Sequence, residues 1–339
     1  MFVWRDDSIG NTIASEVLCA AERGVKIRII KDKLAAAHEL AEENRQSFFH
    51  KPTDLSTFVQ RNILSILYFR DLGKKPPSGP NPLVAQMEAH PNITLDVNTL
   101  RHDHSKFYLI DNSYLILGGI NIENKELYAD KKNLKYADYM VEISSKREIA
   151  EFRDTIIEHN HANLATIKSF CVNRRDLNVF RIKPRLLELL EQAHESVDFE
   201  MAYWGDRDVR DKIIERAHQG IRISIITSMQ SNLQNDLYLK TMAYFLRKTK
   251  GRIKIYLSKR MVHSKFICID RKIIFFGSAN VNRPGMTRLS ELNVQVDDQA
   301  AIAKWLAWRK NHLQECEAIT DYRSINYNRI VAWIEGLFC

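Results

Sequence analysis

One pattern of polar residues and glycines occurs twice in this chain, once in each half. The first copy consists of His104, Lys106, Asp111, Gly118, Gly119 and Asn121. The second copy consists of His263, Lys265, Asp270, Gly277, Ser278 and Asn280. The spacing is identical in both, with seventeen positions from the histidine to the asparagine. Such a repeat predicts a duplicated fold in which the two copies share one site.

Short apolar runs surround each copy and predict two pairs of β-strands. The runs are 107–110 and 114–117 in the first copy, and 266–269 and 273–276 in the second. Tight turns at Asp111-Asn112 and Asp270-Arg271 would join them. Because residues two apart on a strand share a face, each histidine should project beside its lysine, and the returning strand should bring the asparagine back to the same end. The glycines before it allow close backbone approach.

The side chains brought together in this way suit a phosphate group. A lysine ammonium and an asparagine amide can hold phosphate oxygens, while an imidazole attacks phosphorus or donates a proton. The pattern therefore indicates chemistry at a phosphate ester.

The duplicated motif resembles that of the phospholipase D superfamily, written H-x-K-x4-D-x6-G-[GS]-x-N. The likeness covers nearly the whole chain, because residues 1–6 align with 201–206 and the helix, glycine and strand near 20–29 align with 215–224. The resemblance implies an α/β fold of two similar lobes, each a mixed β-sheet flanked by helices. A pseudo-twofold axis would relate the lobes, with the active site at their interface.

The resemblance also implies a two-step displacement at phosphorus. One histidine would form a covalent phosphohistidine, and the other would protonate the leaving alcohol; the motifs leave open which is which. Charge on the phosphate oxygens would be stabilised by Lys106, Lys265, Asn121 and Asn280, so that neither a metal nor a cofactor is expected. The remaining motif residues would have structural roles, namely Asp111, Gly118, Gly119, Asp270, Gly277 and Ser278.

Members of this superfamily carry a downstream acid that orients each histidine. In the second copy the candidate is Glu291. In the first copy the best match is Asp138, although it lies seventeen residues after the asparagine rather than the eleven of the second copy.

The repeat predicts a first lobe at 1–145, a helical linker at 146–180, and a second lobe with a C-terminal helix at 181–339. The first lobe contains an insertion at about 33–91, whose apolar and basic stretch 58–69 would pack on its own lobe or lie on a membrane. Since residue 1 aligns with residue 201, the opening helix and strand of the first lobe are absent, as expected of a shortened lobe or of a piece of a longer protein.

Charge and hydropathy narrow the class of partner. The net charge of +8 and the pI near 9.1 favour an anionic partner, either phospholipid headgroups and the membrane surface or nucleic acid. Five scattered cysteines favour neither a disulfide framework nor a zinc site. Without an eighteen-residue apolar run or a secretory signal, we expect a cytoplasmic or peripheral membrane location. Both motifs lie in one chain, which predicts a working monomer.

Two complete motifs favour an enzyme over a non-catalytic scaffold. We expect phosphodiester hydrolysis or transfer on phospholipids, as in a cardiolipin-synthase-like phosphatidyltransferase or a phospholipase D. The alternative is a metal-independent nuclease or another phosphodiesterase of the same superfamily.

Overall fold

The computed structural model describes residues 1–41, 47–50, 80–128, 135–158 and 169–338. The apolar and basic stretch 58–69 therefore lies outside the described residues, as does Cys339. Contacts divide the chain into a first unit, Met1–His104 with Asn121–Lys135, and a second unit, Ser105–Ile120 with Tyr136–Cys339. The lobe and linker boundaries at 145 and 181 stay a prediction about the repeat.

The first unit is built around a short parallel sheet. Its described helices and strands are α1 (Ser8–Glu22), β1 (Ile27–Ile30), α2 (Leu34–Ala41), α3 (Pro82–Ala89) and β2 (Ile93–Asp96). Strands β1 and β2 are parallel, with Ile27 opposite Ile93. Helix α1 begins after Asp7, whose carboxylate accepts the Gly10 N–H at 2.9 Å and so satisfies one free donor of the first turn.

The second unit contains two sheets. The smaller is antiparallel, in the order β3 (Phe107–Ile110), β4 (Tyr114–Gly118) and β5 (Met140–Ile143). The larger has the order β14-β10-β9-β8-β11-β12-β13-β6-β7 among the described residues. Its strands are β6 (Phe170–Arg174), β7 (Val179–Phe180), β8 (Ser196–Met201), β9 (Arg222–Ser228), β10 (Lys254–Ser258), β11 (Lys265–Ile269), β12 (Ile273–Gly277), β13 (Glu291–Val296) and β14 (Cys316–Ile319).

Seven α-helices accompany these sheets within the described part of the second unit. They are α4 (Lys146–Phe152), α5 (Ile182–Glu191), α6 (Arg207–His218), α7 (Asn235–Thr249), α8 (Arg283–Thr287), α9 (Gln299–Gln314) and α10 (Arg329–Phe338). Strands β8, β9 and β10 are parallel, whereas β8 and β11 are antiparallel. The predicted mixed α/β fold is confirmed.

Strand β11, which begins at Lys265 of the second motif, lies in the middle of the larger sheet and is buried along its whole length. Its side chains alternate between two apolar clusters. Ile267 and Ile269 belong to one cluster, and Phe266 and Cys268 belong to the other. Fully burying a side chain such as Phe266 contributes about 2–3 kcal/mol. Burial also raises the pKa of the Cys268 thiol to about 12, as befits a small apolar core residue.

The predicted C-terminal helix is present as α10 and is amphipathic. Ala332 and Glu335 are buried, whereas Ile330, Trp333 and Leu337 are exposed. This helix therefore packs onto the protein by one face only. In the described ranges no helix has the length and apolar character to cross a bilayer.

Helix α10 should hold to the protein less firmly as the pH rises, because Glu335 is buried. Its carboxyl accepts the Leu237 N–H at 2.7 Å, but burial, reinforced by Asp236, raises its pKa from 4.5 to about 7. The neutral form thus favours docking: its contribution is complete below pH 4.5 and is lost as the pH rises through 7.

Hydrogen exchange of the α10 amides, corrected for intrinsic rates, should show protection falling between pH 4.5 and 7.5. Glu335→Gln keeps an acceptor for Leu237 without the charge, so its protection should not change across that range. Equal pH slopes in the two proteins would contradict the assignment.

Candidate active site

The second-copy histidine lies directly before β11 and is held there by backbone hydrogen bonds. Ala137 donates its N–H to the Met261 carbonyl at 2.8 Å, and its own carbonyl accepts the N–H groups of His263 and Ser264 at 2.9 and 3.0 Å. This short bridge places the residue after Ala137 beside His263. Because His263 precedes β11, this backbone pairing ahead of the strand fixes the position of the histidine.

The His263 ring makes a hydrogen bond with a buried carboxylate. Its Nδ1 lies 2.8 Å from Oδ2 of Asp138, and the other carboxylate oxygen accepts the Tyr139 N–H at 2.7 Å. The Lys265 ammonium lies 3.9 Å from Asp138 Oδ2 and donates to the His263 carbonyl. Both side chains of the His–Asp pair are buried, with 9% and 3% of their surface exposed.

The Asp138 carboxylate fixes the chemical form of the histidine. Burial opposes ionisation, but the Lys265 charge and the hydrogen bonds from His263 and Tyr139 outweigh it and hold the pKa of Asp138 below its usual 3.8. An ionised carboxylate only accepts hydrogen bonds, so Nδ1 carries the proton. In the neutral ring Nε2 then keeps its lone pair, the form needed to attack phosphorus or to accept a proton.

The pairing of acid and histidine differs from the sequence prediction. Asp138 was the expected acid of the first copy, yet it lies against the histidine of the second. Strand register shows that Asp138 and Glu291 nevertheless occupy equivalent places in the repeat: Gly118 lies opposite Met140, and Gly277 opposite Asn293, two residues after each acid. Glu291 is buried, and one of its oxygens accepts the Ser278 hydroxyl at 2.5 Å.

The first-copy histidine, His104, ends the first segment of the first unit. The edge of its ring packs on Phe2, with 4.6 Å between ring centroids. Asp32 accepts the N–H groups of Arg101 and Asp103 just ahead of it. His102, between them, has a φ of 55°, which non-glycine residues rarely adopt, so this approach is tightly constrained.

The two asparagines have different surroundings. Asn121 Oδ1 accepts the Val3 N–H, and its amide donates to Glu123, both at 3.4 Å. Glu123 also forms a buried ion pair with Arg5 at 2.6 Å. Asn280 is equally buried, but its Oδ1 has no hydrogen-bond partner among the described residues, which leaves an amide atom for a ligand. The motif pattern contains neither Arg5 nor Glu123, so the sequence did not predict this ion pair.

The motif lysines are unusually buried. Lys106 is 0% exposed and Lys265 is 1% exposed. Burying an ammonium group is costly unless negative charge lies nearby. The same residue type is buried at the same motif position in both copies, and the Asp138 carboxylate supplies negative charge near Lys265.

The turn aspartate of the second copy has structural contacts. Its carboxylate accepts the N–H groups of His194, Glu195 and Ser196 at 2.9, 2.8 and 2.8 Å. These bonds outweigh the effect of burial and lower the pKa of Asp270. Asp111 has the same left-handed turn conformation, with φ of 50° against 51° for Asp270.

The motif glycines permit close packing around the acids. A Cβ on Gly118 would lie 2.2 Å from the Tyr139 carbonyl, and one on Gly277 would lie 2.1 Å from that of Leu292. A Cβ on Gly119 would lie 2.5 Å from both carboxylate oxygens of Asp138. Gly119 thus leaves the space in which this carboxylate lies.

Gly119→Ala should therefore displace Asp138 and lower turnover about 10²-fold, since small misplacement of catalytic groups is costly. Turnover and thermal melting of the variant would test this. The matched control is Gly205→Ala, whose new Cβ would be no closer than 3.5 Å to its neighbours. Full activity of Gly119→Ala would show that the carboxylate position is not critical.

A second buried polar network lies behind Asp138. The Tyr139 hydroxyl donates to Glu200, whose other oxygen is 3.8 Å from His312 Nδ1. The Nε2 of His312 lies 2.8 Å from the Ser258 hydroxyl. This serine, histidine and acid have the composition of a hydrolytic triad, but they are 0%, 3% and 0% exposed, so no substrate reaches them. The network supports Tyr139 and was not foreseen from the sequence.

Comparison with known families gives a match over most of the chain. The model of the family described as "Cardiolipin synthase, PLD-like domain" matches residues 2–160 and 186–313. The chain belongs to this family. Both copies of the motif lie within the matched segments.

Curated relatives of the cardiolipin synthase PLD-like family align with nearly the whole chain. A cardiolipin synthase of Staphylococcus aureus (strain Mu50) is 20% identical over 354 aligned positions, covering 98% of this chain and 65% of the relative. Cardiolipin synthase A of Buchnera aphidicola subsp. Schizaphis graminum is 23% identical, covering 88% of this chain and 60% of its own length. The chain thus spans less than two thirds of these relatives.

Solved structures share the fold. Phosphatidylserine synthase from Haemophilus influenzae aligns with 99% of this chain and 86% of its own, with a TM-score of 0.65 and 13% identity. Polyphosphate kinase from Porphyromonas gingivalis aligns with 99% of this chain and 47% of its own, with a TM-score of 0.55 and 13% identity. At such identity these neighbours establish the architecture alone.

Proposed function

We propose that this protein is a phosphatidyltransferase of the cardiolipin synthase type, acting on the phosphodiester of an anionic phospholipid through a covalent phosphohistidine. The observation that carries the proposal is the buried His263–Asp138 pair at 2.8 Å with Lys265 beside it, inside an intact motif. A histidine oriented in this way by an ionised acid is an activated nucleophile or proton carrier.

The reaction has two balanced steps. In the first, Nε2 of one motif histidine attacks phosphorus, the bond to the leaving alcohol oxygen breaks, and the other histidine gives that oxygen a proton. In the second, an acceptor alcohol attacks phosphorus, its proton passes to the second histidine, and the phosphorus–nitrogen bond breaks. Water in place of the alcohol gives hydrolysis.

The other motif residues serve the same phosphorus. The ammonium groups of Lys106 and Lys265 and the amides of Asn121 and Asn280 would stabilise charge that develops on the phosphate oxygens. Asp138 orients His263, and we assign the equivalent acid, Glu291, the same task for His104. One chain supplies both copies, so the proposed active form is a monomer, located in the cytoplasm or at the membrane periphery.

Lipid is the favoured substrate because of the family and the relatives. The matched family and the curated relatives are named for cardiolipin synthase, and the chain's net charge of +8 suits anionic headgroups.

The proposal can be tested with purified protein, labelled phosphatidylglycerol vesicles, and single- and double-stranded DNA, all in EDTA. We expect cardiolipin and released glycerol from wild type and none from His263→Ala. Phosphatidic acid instead would indicate hydrolysis. Cleavage of DNA with inert lipid would replace the proposal with a nuclease, and activity that is lost in EDTA and restored by a metal would contradict the phosphohistidine mechanism.

A further inference from the structure

A large cavity in the second unit lies apart from the motif residues. Its volume is about 1060 Å³, and it is lined by residues of α6 and α7, by Arg283 and Thr287, and by the C-terminal segment 322–337. None of the described residues that line it belongs to either copy of the motif. The chemistry proposed above does not use this cavity.

The cavity lining is strongly basic. Eight lysine and arginine side chains line it, against two aspartates. The aspartates, Asp206 and Asp208, both pair with Lys183. Among the described residues, Arg210 pairs with Asp211, and the other six cations form no ion pair: Arg207, Lys240, Arg247, Arg283, Arg323 and Arg329.

Two of these cations, together with Lys248 outside the cavity lining, lie near the Tyr244 ring. Arg210 lies 4.7 Å and Arg247 5.6 Å from the centre of the Tyr244 ring, and Lys248 lies 5.5 Å from it. Arg210 pairs with Asp211, whereas Arg247 has no such partner among the described residues, so positive charge is in excess at this ring. The arrangement therefore indicates a ligand that carries negative charge.

A buried donor at the cavity supports the same conclusion. Trp204 lines the cavity and is 1% exposed, and its indole Nε1 has no hydrogen-bond partner in the described structure. The equivalent tryptophan of the first repeat, Trp4, donates to the Gly10 carbonyl at 3.1 Å. An unsatisfied buried N–H is costly, so the second repeat keeps at the wall of this cavity a donor whose counterpart in the first repeat is satisfied.

The rim of the cavity is apolar and faces solvent. Ile330, Trp333 and Leu337 are 71%, 61% and 57% exposed, and their spacing of three and four residues places them in one stripe along α10. Trp333 and Leu337 also line the cavity. Tryptophan beside basic residues is typical of segments that lie at the boundary of headgroups and acyl chains.

We propose that the basic cavity and this stripe together form a docking surface for an anionic phospholipid bilayer. A lipid phosphate would occupy the cavity, while the three stripe residues enter the interface. A soluble phosphate ester would satisfy the cations but would leave the stripe in water, so the bilayer is the occupant that accounts for both features. The inference goes beyond the proposed activity, because binding here requires neither motif histidine.

Vesicle flotation in the His263→Ala background tests this surface without lipid turnover. This protein should bind weakly to vesicles of phosphatidylcholine alone. It should bind strongly to vesicles that contain both phosphatidylcholine and phosphatidylglycerol. Lys240→Ala with Arg247→Ala should weaken binding to the anionic vesicles about thirtyfold, since each cation near such a surface accounts for about fivefold. Trp333→Ser should weaken it about tenfold.

The matched control removes the same charge elsewhere. Lys254 and Lys310 are exposed and do not line the cavity, so Lys254→Ala with Lys310→Ala should change binding less than threefold. Equal losses in both double variants would overturn the proposal in favour of general charge attraction. It would also be overturned if anionic vesicles did not bind.

A competition experiment with a soluble compound distinguishes a lipid phosphate from a soluble phosphodiester as the ligand of the cavity. Glycerophosphoglycerol, the headgroup without acyl chains, should compete with vesicles only at millimolar concentration. Tight binding of this compound to the cavity, with vesicle binding unaffected by Trp333→Ser, would mean that the site takes soluble phosphodiesters and would overturn the bilayer assignment. Equal thermal melting of all variants would confirm that each is folded.

Discussion

Replacing His263 with alanine should lower phosphodiester turnover by at least about 10⁴-fold, and His104→Ala should do the same, because in the proposed mechanism each histidine performs a step that the other cannot. Because the proposal makes the two residues act as a unit, the double variant should be little worse than either single one. The matched control is His218→Ala, an exposed histidine at the end of α6. Full activity in either single motif variant would rule out the shared mechanism.

The leaving group can tell the two histidines apart. An aryl phosphodiester such as a p-nitrophenyl ester needs little proton donation, so it should restore much of the first step in the variant that lacks the general acid. The variant without the nucleophile should stay inactive on every substrate. A single-turnover assay that follows nitrophenolate release therefore assigns the roles that the near-identical motifs leave open. Equal rescue of both variants would contradict a division into nucleophile and acid.

Asp138→Asn should lower kcat by about 10²- to 10⁴-fold while leaving the fold intact. The amide keeps the shape of the carboxylate but no longer imposes the Nδ1–H form on His263 or offers charge to Lys265. Glu291→Gln should have a comparable effect, given its equivalent place in the repeat. Asp297→Asn, an exposed acid, is the control. A kcat within threefold of wild type would exclude Asp138 from the mechanism.

The effect of Asp138→Asn on the free energy of unfolding should depend on pH. The pKa of Asp138 lies below 3.8 in the folded protein. Its ionised form therefore stabilises the fold above the unfolded pKa of about 3.9, and this contribution is lost as the pH falls through the lower folded value. Urea unfolding should show Asp138→Asn less stable than wild type by about 1–3 kcal/mol at pH 7, with the difference shrinking towards pH 3. A difference in unfolding free energy that stays constant with pH would contradict the assignment of an ionised Asp138 in the folded protein.

The two motifs and their strand–turn–strand settings follow from the sequence because their signals are local. Spacing, alternation and turn residues all act within about twenty positions. The pairing of Asp138 with His263 spans 125 residues and depends on the backbone bridge at Ala137, which no periodicity records. The basic cavity is still less visible, since its lining is drawn from positions between Lys183 and Leu337.

The bridge between Ala137 and the residues beside His263 also bears on how such a chain can evolve. The second half of the sequence contributes the His263 imidazole, and the first half contributes the Asp138 carboxylate that is hydrogen-bonded to it. Neither half alone therefore contains the complete His–Asp pair. A substitution that moves one member of the pair is neutral only if the other half of the chain accommodates it. We therefore expect the two halves to coevolve. Chimeras that join the first half of one relative to the second half of another should therefore fail more often than chimeras that exchange outer helices.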